Sequence, residues 1–101
     1  MIAVWVTFRY ESDFNVEKLR KVADGARPKF EKMPGLRSKT FTLRPEKREA
    51  VNFYVWDSEE AAKAFFSPEV IERVTELYGV RPSLQWLDVA ALVENVPGRH
   101  E

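Results

Sequence analysis

Hydrophobic and polar positions alternate at the start of the chain. Across residues 1–10, Ile2, Val4, Val6 and Phe8 share one face of an extended segment, and Ala3, Trp5, Thr7 and Arg9 share the other. The period then changes. Polar residues 11–15 offer Asp13 and Asn15 as helix caps, and Val16, Leu19, Ala23, Ala26, Phe30 and Met33 follow at spacings of three and four. Pro28 lies inside that stripe, where a proline costs about 3 kcal/mol or more and usually kinks a helix. The stripe keeps its phase across Pro28, so the pattern predicts one kinked helix stopped by Pro34-Gly35. Residues 36–43 and 50–56 then read as two strands joined by a charged turn, 44–48, that contains Pro45. Ser58 caps a short helix that carries Glu59 and Glu60 in its first turn. Ser67-Pro68 starts another, with Val70, Ile71, Val74, Leu77 and Tyr78 on its apolar face and Gly79 at its end. Residues 83–93 read as a long last strand, and residues 97–101 as a frayed tail.

The order βαββαβ, with the second helix in two pieces, predicts a single α+β domain over residues 1–101. It is ferredoxin-like, a four-stranded antiparallel sheet with its helices on one face. Two helix layers cannot cover both faces. If the purely aliphatic side of each strand meets the helices (Val4, Val6 and Phe8; Val51, Phe53 and Val55; Leu87 and Val89), the other side carries Trp5, Thr7, Arg9, Asn52, Tyr54, Trp56, Trp86 and Asp88. All three tryptophans then share one open face. An apolar patch of that size calls for a partner, and a twofold homodimer is the commonest. On this reading the ligand site lies on the face away from the helices, where Asn52, Tyr54 and Trp56 line a cavity near Arg9 and Asp88. Arg9 and Asp88 form a structural ion pair on the alternative reading.

Composition narrows the chemistry. Lys plus Arg and Asp plus Glu are 16 each, so the formal net charge is zero and the basic excess of a nucleic-acid binder is missing. With no cysteine, thiolate metal sites and cysteine nucleophiles are excluded. The one histidine, His100, lies in the tail, and no P-loop or HExxH pattern occurs. Residues 1–9 are too short and interrupted for a membrane span and lack the basic start of a signal peptide, so a cytoplasmic protein without membrane attachment is expected. Glu59-Glu60 is helix-start chemistry, since neighbours in a helix do not face each other. Arg37 and Lys39 share a strand face: they read as charges guarding an edge strand, with an anion site as the alternative.

One set of residues carries a resemblance. Met33-Pro34-Gly35-Leu36, Lys39-Thr40-Phe41, Glu49-Ala50 and Phe53-Tyr54-Val55-Trp56 resemble the YdhR-type monooxygenases. The likeness continues through residues 58–65, Leu77-Tyr78-Gly79-Val80 and Leu87-Asp88-Val89, about two-thirds of the chain. These proteins are similar in layout to the dimeric α/β-barrel superfamily that includes antibiotic-biosynthesis monooxygenases. The resemblance implies a homodimer, a pocket between sheet and helices, and oxidation of a small or polycyclic hydroxylated aromatic by O2 with no cofactor. It also implies that Asn52 and Trp56, four residues apart on the third strand, are catalytic. The remaining expected ligand contacts are Trp5, Arg9, Tyr54, Trp86 and Asp88. The haem-degrading branch needs a histidine in its second helix, which this chain lacks.

Two rival functions use the same pattern. One is a homodimer that binds a small molecule without turning it over. The other is an RNA-recognition motif, with Phe53 and Trp56 cast as base-stacking aromatics. The glycines of that motif are missing, and Glu49, Val51 and Asn52 stand in their neighbourhood.

Overall fold

In a computed structural model, which describes residues 1–95, the chain forms four strands and three α-helices. They run β1 (Ile2–Arg9), α1 (Val16–Phe30), β2 (Leu36–Arg44), β3 (Glu49–Trp56), α2 (Glu59–Phe65), α3 (Pro68–Tyr78) and β4 (Ser83–Asp88), with a single 3-10 turn, Pro45–Lys47, between β2 and β3. The sheet is antiparallel throughout, in the order β2-β3-β1-β4. This is the expected ferredoxin-like α+β fold. Among the described residues, no helix is long and apolar enough to cross a membrane.

Local chemistry sets the element ends. Asn15, Ser58 and Ser67 each accept a hydrogen bond from the backbone N–H three residues on, at the starts of α1, α2 and α3. Gly79 ends α3 in the left-handed region, φ 84°, and donates its N–H to the Thr75 carbonyl. α1 continues through Pro28 as one helix and ends at Phe30, one turn before Met33. β4 stops at Asp88, five residues short of the expected strand, because it pairs only with β1, whose first residues are used up there. The expected fraying of residues 97–101 lies outside the described residues.

The register corrects the assignment of faces. Residues opposite each other in an antiparallel pair share a face. Val4 lies opposite Tyr54, Val6 opposite Asn52, and Ile2 opposite Trp56. The buried side of β1 therefore brings Asn52, Tyr54 and Trp56 under the helices, not onto the open face. Trp86 lies opposite Val4 and packs edge-on against Phe66, so it also belongs to the helix side. Val51, Phe53, Val55 and Leu87, expected beneath the helices, join Trp5, Thr7 and Arg9 on the open face. The rule that the aliphatic side meets the helices holds for β1 and fails for β3 and β4. Both sides of β3 are apolar enough to be buried, and its inner side is the aromatic one.

Candidate functional site

The helix-facing row of β3 runs Ala50, Asn52, Tyr54, Trp56, all buried. At the Trp56 end the space above it is filled with rings. Tyr54 stacks on Trp56, Phe66 meets Tyr54 edge-on at 5.0 Å, and Phe65 lies 5.3 Å from Trp56. Such pairs add about 0.5–1.5 kcal/mol each beyond burial. Trp56 is only 1% exposed, and its indole N–H has no hydrogen-bond partner among the described residues.

Toward Asn52 the packing opens. Leu19 is the one buried residue of α1, and beneath the helix lie two adjoining cavities of about 550 and 420 Å3. They share Lys39, Phe41, Asn52 and Tyr78. The smaller is the more enclosed and mostly apolar, walled by Phe8, Phe30, Tyr54 and Phe66. Both are within the size range of small-molecule sites.

The polar groups in this apolar space are few. Asn52 donates its side-chain amide to the Tyr78 hydroxyl at 3.1 Å. That leaves its second amide N–H and its carbonyl oxygen for a ligand. Tyr78 is fixed from two sides: its ring stacks on Phe8 at 3.8 Å, and its backbone carbonyl accepts from the Tyr10 hydroxyl. Burial pushes the Tyr78 phenol up, and the Asn52 hydrogen bond partly opposes this. Burial also pushes the Tyr54 phenol up, reinforced by Tyr78. Both phenols therefore stay protonated at neutral pH and act as hydrogen-bond donors or acceptors. Lys39, on the same side of β2 as Phe41, places its Nζ 3.4 Å from the Phe30 ring centre, 4.2 Å from Phe41 and 4.5 Å from Tyr54.

The structure thus brings Asn52 and Tyr54 together at the cavity and places Trp56 behind Tyr54, lining neither cavity. Trp86 lies beyond Phe66, and Asp88 stands opposite Ile2 at the far end of β1. Trp5 and Arg9 are on the other side of the sheet. Arg9 pairs with Glu49, not Asp88, through both Nε and Nη2. Phe53 and Trp56 face opposite ways, so they cannot form one base-stacking surface. Sequence reasoning left two residues out of the site. Lys39 alternates in phase with Phe41 and Leu43, which marks an inward position. Tyr78 puts a hydroxyl at the end of the apolar stripe of α3.

A one-sided α+β sandwich with a ligand-sized hollow between sheet and helices is the class of protein that fold and site define. Several solved structures share the fold. Rv0793 from Mycobacterium tuberculosis is 18% identical, with a TM-score of 0.67 over 92% of this chain and 98% of that one. The ActVA-Orf6 monooxygenase of Streptomyces coelicolor, in complex with nanaomycin D, is 22% identical, with a TM-score of 0.67 over 93% of this chain and 92% of that one. SnoaB, a cofactor-independent oxygenase from Streptomyces nogalater, is 15% identical, with a TM-score of 0.64 over 93% and 97%. The chain matches no protein-family model, and no curated protein matches it by sequence. The fold is the one the resemblance implies, that of antibiotic-biosynthesis-monooxygenase-like proteins; these likenesses do not single out the YdhR type.

Proposed function

We propose that the protein is a cofactor-independent monooxygenase acting on a flat hydroxylated aromatic held in the hollow between α1 and the sheet. The observation that carries this reading is an apolar, ring-walled cavity of about 420 Å3 with the Asn52–Tyr78 pair as its polar centre. A fold shared with proteins described as a monooxygenase and a cofactor-independent oxygenase adds support. In the reaction, the ionised substrate is the reductant. It passes electrons to O2, a carbon–oxygen bond forms, and the peroxide so made loses water, so that a ring CH2 becomes C=O and the second oxygen leaves as H2O. Asn52 and Tyr54 hold the substrate oxygen as negative charge develops on it, where a fixed donor is worth most. Trp56 acts as a positioning residue, holding Tyr54 by stacking.

The protein works as a homodimer, joined through the open face. Trp5 and Leu87 there are each 41% exposed, and Trp5 packs edge-on against Phe53. Two such faces brought together bury the apolar strip of both copies and close the dimeric α/β barrel. On this arrangement Trp5 and Arg9 are interface residues.

The test is oxygen uptake with 1,8-dihydroxyanthrone and a hydroquinone panel, without added metal or flavin, for the wild type and Asn52→Ala. Uptake that depends on the protein and falls about 10²-fold or more in the variant is expected. Ligand-induced quenching of tryptophan fluorescence without uptake would replace this reading with a binding protein that performs no turnover.

A further inference from the structure

We infer that Lys39 is the base of this reaction: its amine takes the proton from an acidic hydroxyl or carbon acid of the bound aromatic, and the ammonium so formed holds the resulting oxyanion. The inference rests on reading the hollow as an aromatic-substrate site. The reaction needs a base there, because only the ionised substrate can reduce O2. The hollow contains no histidine, both of its phenols are held protonated, and the one carboxylate at its border, Asp24 on α1, is exposed to solvent.

Lys39 borders both cavities and a third, shallower one at the β2 edge. Its Nζ sits among three rings, with no ion pair or side-chain hydrogen bond among the described residues. A half-buried amine held among ring faces with no counter-ion is a costly arrangement for structure alone. Burial, with a smaller push from Lys29, lowers the amine from 10.5 to about 7, while the ring faces pull toward the charged form. The other charged or titratable groups bordering the same two cavities are Arg20, Lys21, Asp24, Arg27 and Lys29 on α1, Tyr54 on β3, and Arg73 and Tyr78 on α3. Cations outnumber the one carboxylate among these groups, which favours an anionic ligand. In the step itself the substrate O–H or C–H bond breaks, the proton goes to Nζ, and the electron pair stays on the substrate.

The probe is alizarin, a three-ring phenol whose ionised form absorbs at longer wavelength. Bound to the wild type, it should ionise about one pH unit or more below its free value, since an opposite charge at contact shifts a phenol by that order. Lys39→Met fills similar space without an amine and should abolish the shift. Lys39→Arg should keep the shift, because guanidinium still pairs with the anion, yet lose anthrone-dependent oxygen uptake by about 10²-fold, because it cannot accept a proton. A shift that Lys39→Met abolishes, without oxygen uptake, upholds Lys39 as the group that ionises a bound phenol and removes the oxygenase reading. Uptake that survives Lys39→Met keeps the oxygenase and overturns Lys39, as does a shift that survives it. If alizarin does not bind, acetylation of Lys39 by acetic anhydride, followed against pH by mass spectrometry, decides the matter. Half-protection near pH 7 upholds the base, and half-protection near 10.5 overturns it.

Discussion

At the residue scale the sheet has two kinds of polar side chain. Asn52 is buried among rings and neutral. Glu49 is on the opposite face, its carboxylate shared between Arg9 and, at 3.8 Å, Arg44. The hydrogen bond from Arg9 holds Glu49 below its ordinary 4.5. A carboxylate with a depressed folded value stabilises the fold fully above its unfolded value and loses that contribution as pH falls through the folded one. The wild type should therefore exceed Glu49→Gln in urea midpoint by a constant margin from pH 7 down to about 5. Below about 4.5 the margin should shrink toward zero. A margin that does not change down to pH 3 would mean that the pair does not stabilise Glu49 in its charged form.

At the element scale, two glycines should respond in opposite directions. Gly35, between α1 and β2, has φ +83°, its carbonyl accepts the Asp57 N–H, and a Cβ there would stand 2.9 Å from the Ala61 Cβ on α2. Gly35→Ala should cost more than the ~1–2 kcal/mol of a left-handed residue alone. Gly25, inside α1, has open space where a Cβ would go, and Gly25→Ala should stabilise by about 0.5–1 kcal/mol. Denaturant melts of both variants check the signs. The same scale shows what the sequence made legible. Caps at Asn15, Ser58 and Ser67, the stop at Gly79 and the change of period between strands and helices fixed the element order. What they left open was the phase of β3 against β1. Val51, Phe53 and Val55 look like a core on their own, and only pairing with β1 shows that Asn52, Tyr54 and Trp56 face inward. Pairing is a long-range property that a single strand's pattern does not encode when both its sides are apolar. The candidate site inherited that error: Asn52, Tyr54 and Trp56 were expected on the open face and lie beneath the helices.

At the scale of the whole molecule, the open face and the hollow are separate surfaces with separate tests. Trp5→Glu puts a charge in the middle of the open face and should leave the hollow intact. Light scattering at micromolar concentration should give twice the chain mass for the wild type and the chain mass for the variant. A monomeric wild type would remove the dimer. The hollow also affects how the fold opens. A helix resting on empty space, anchored inward by Leu19 and by the Phe30 ring, separates from the sheet at less free energy than a helix seated on a full core. Backbone amides of α1 should therefore exchange with deuterium well before those of β1 and β3, through openings that leave the sheet intact. A bound aromatic that fills the space should slow α1 selectively, because each opening of the helix would then expose the ligand as well.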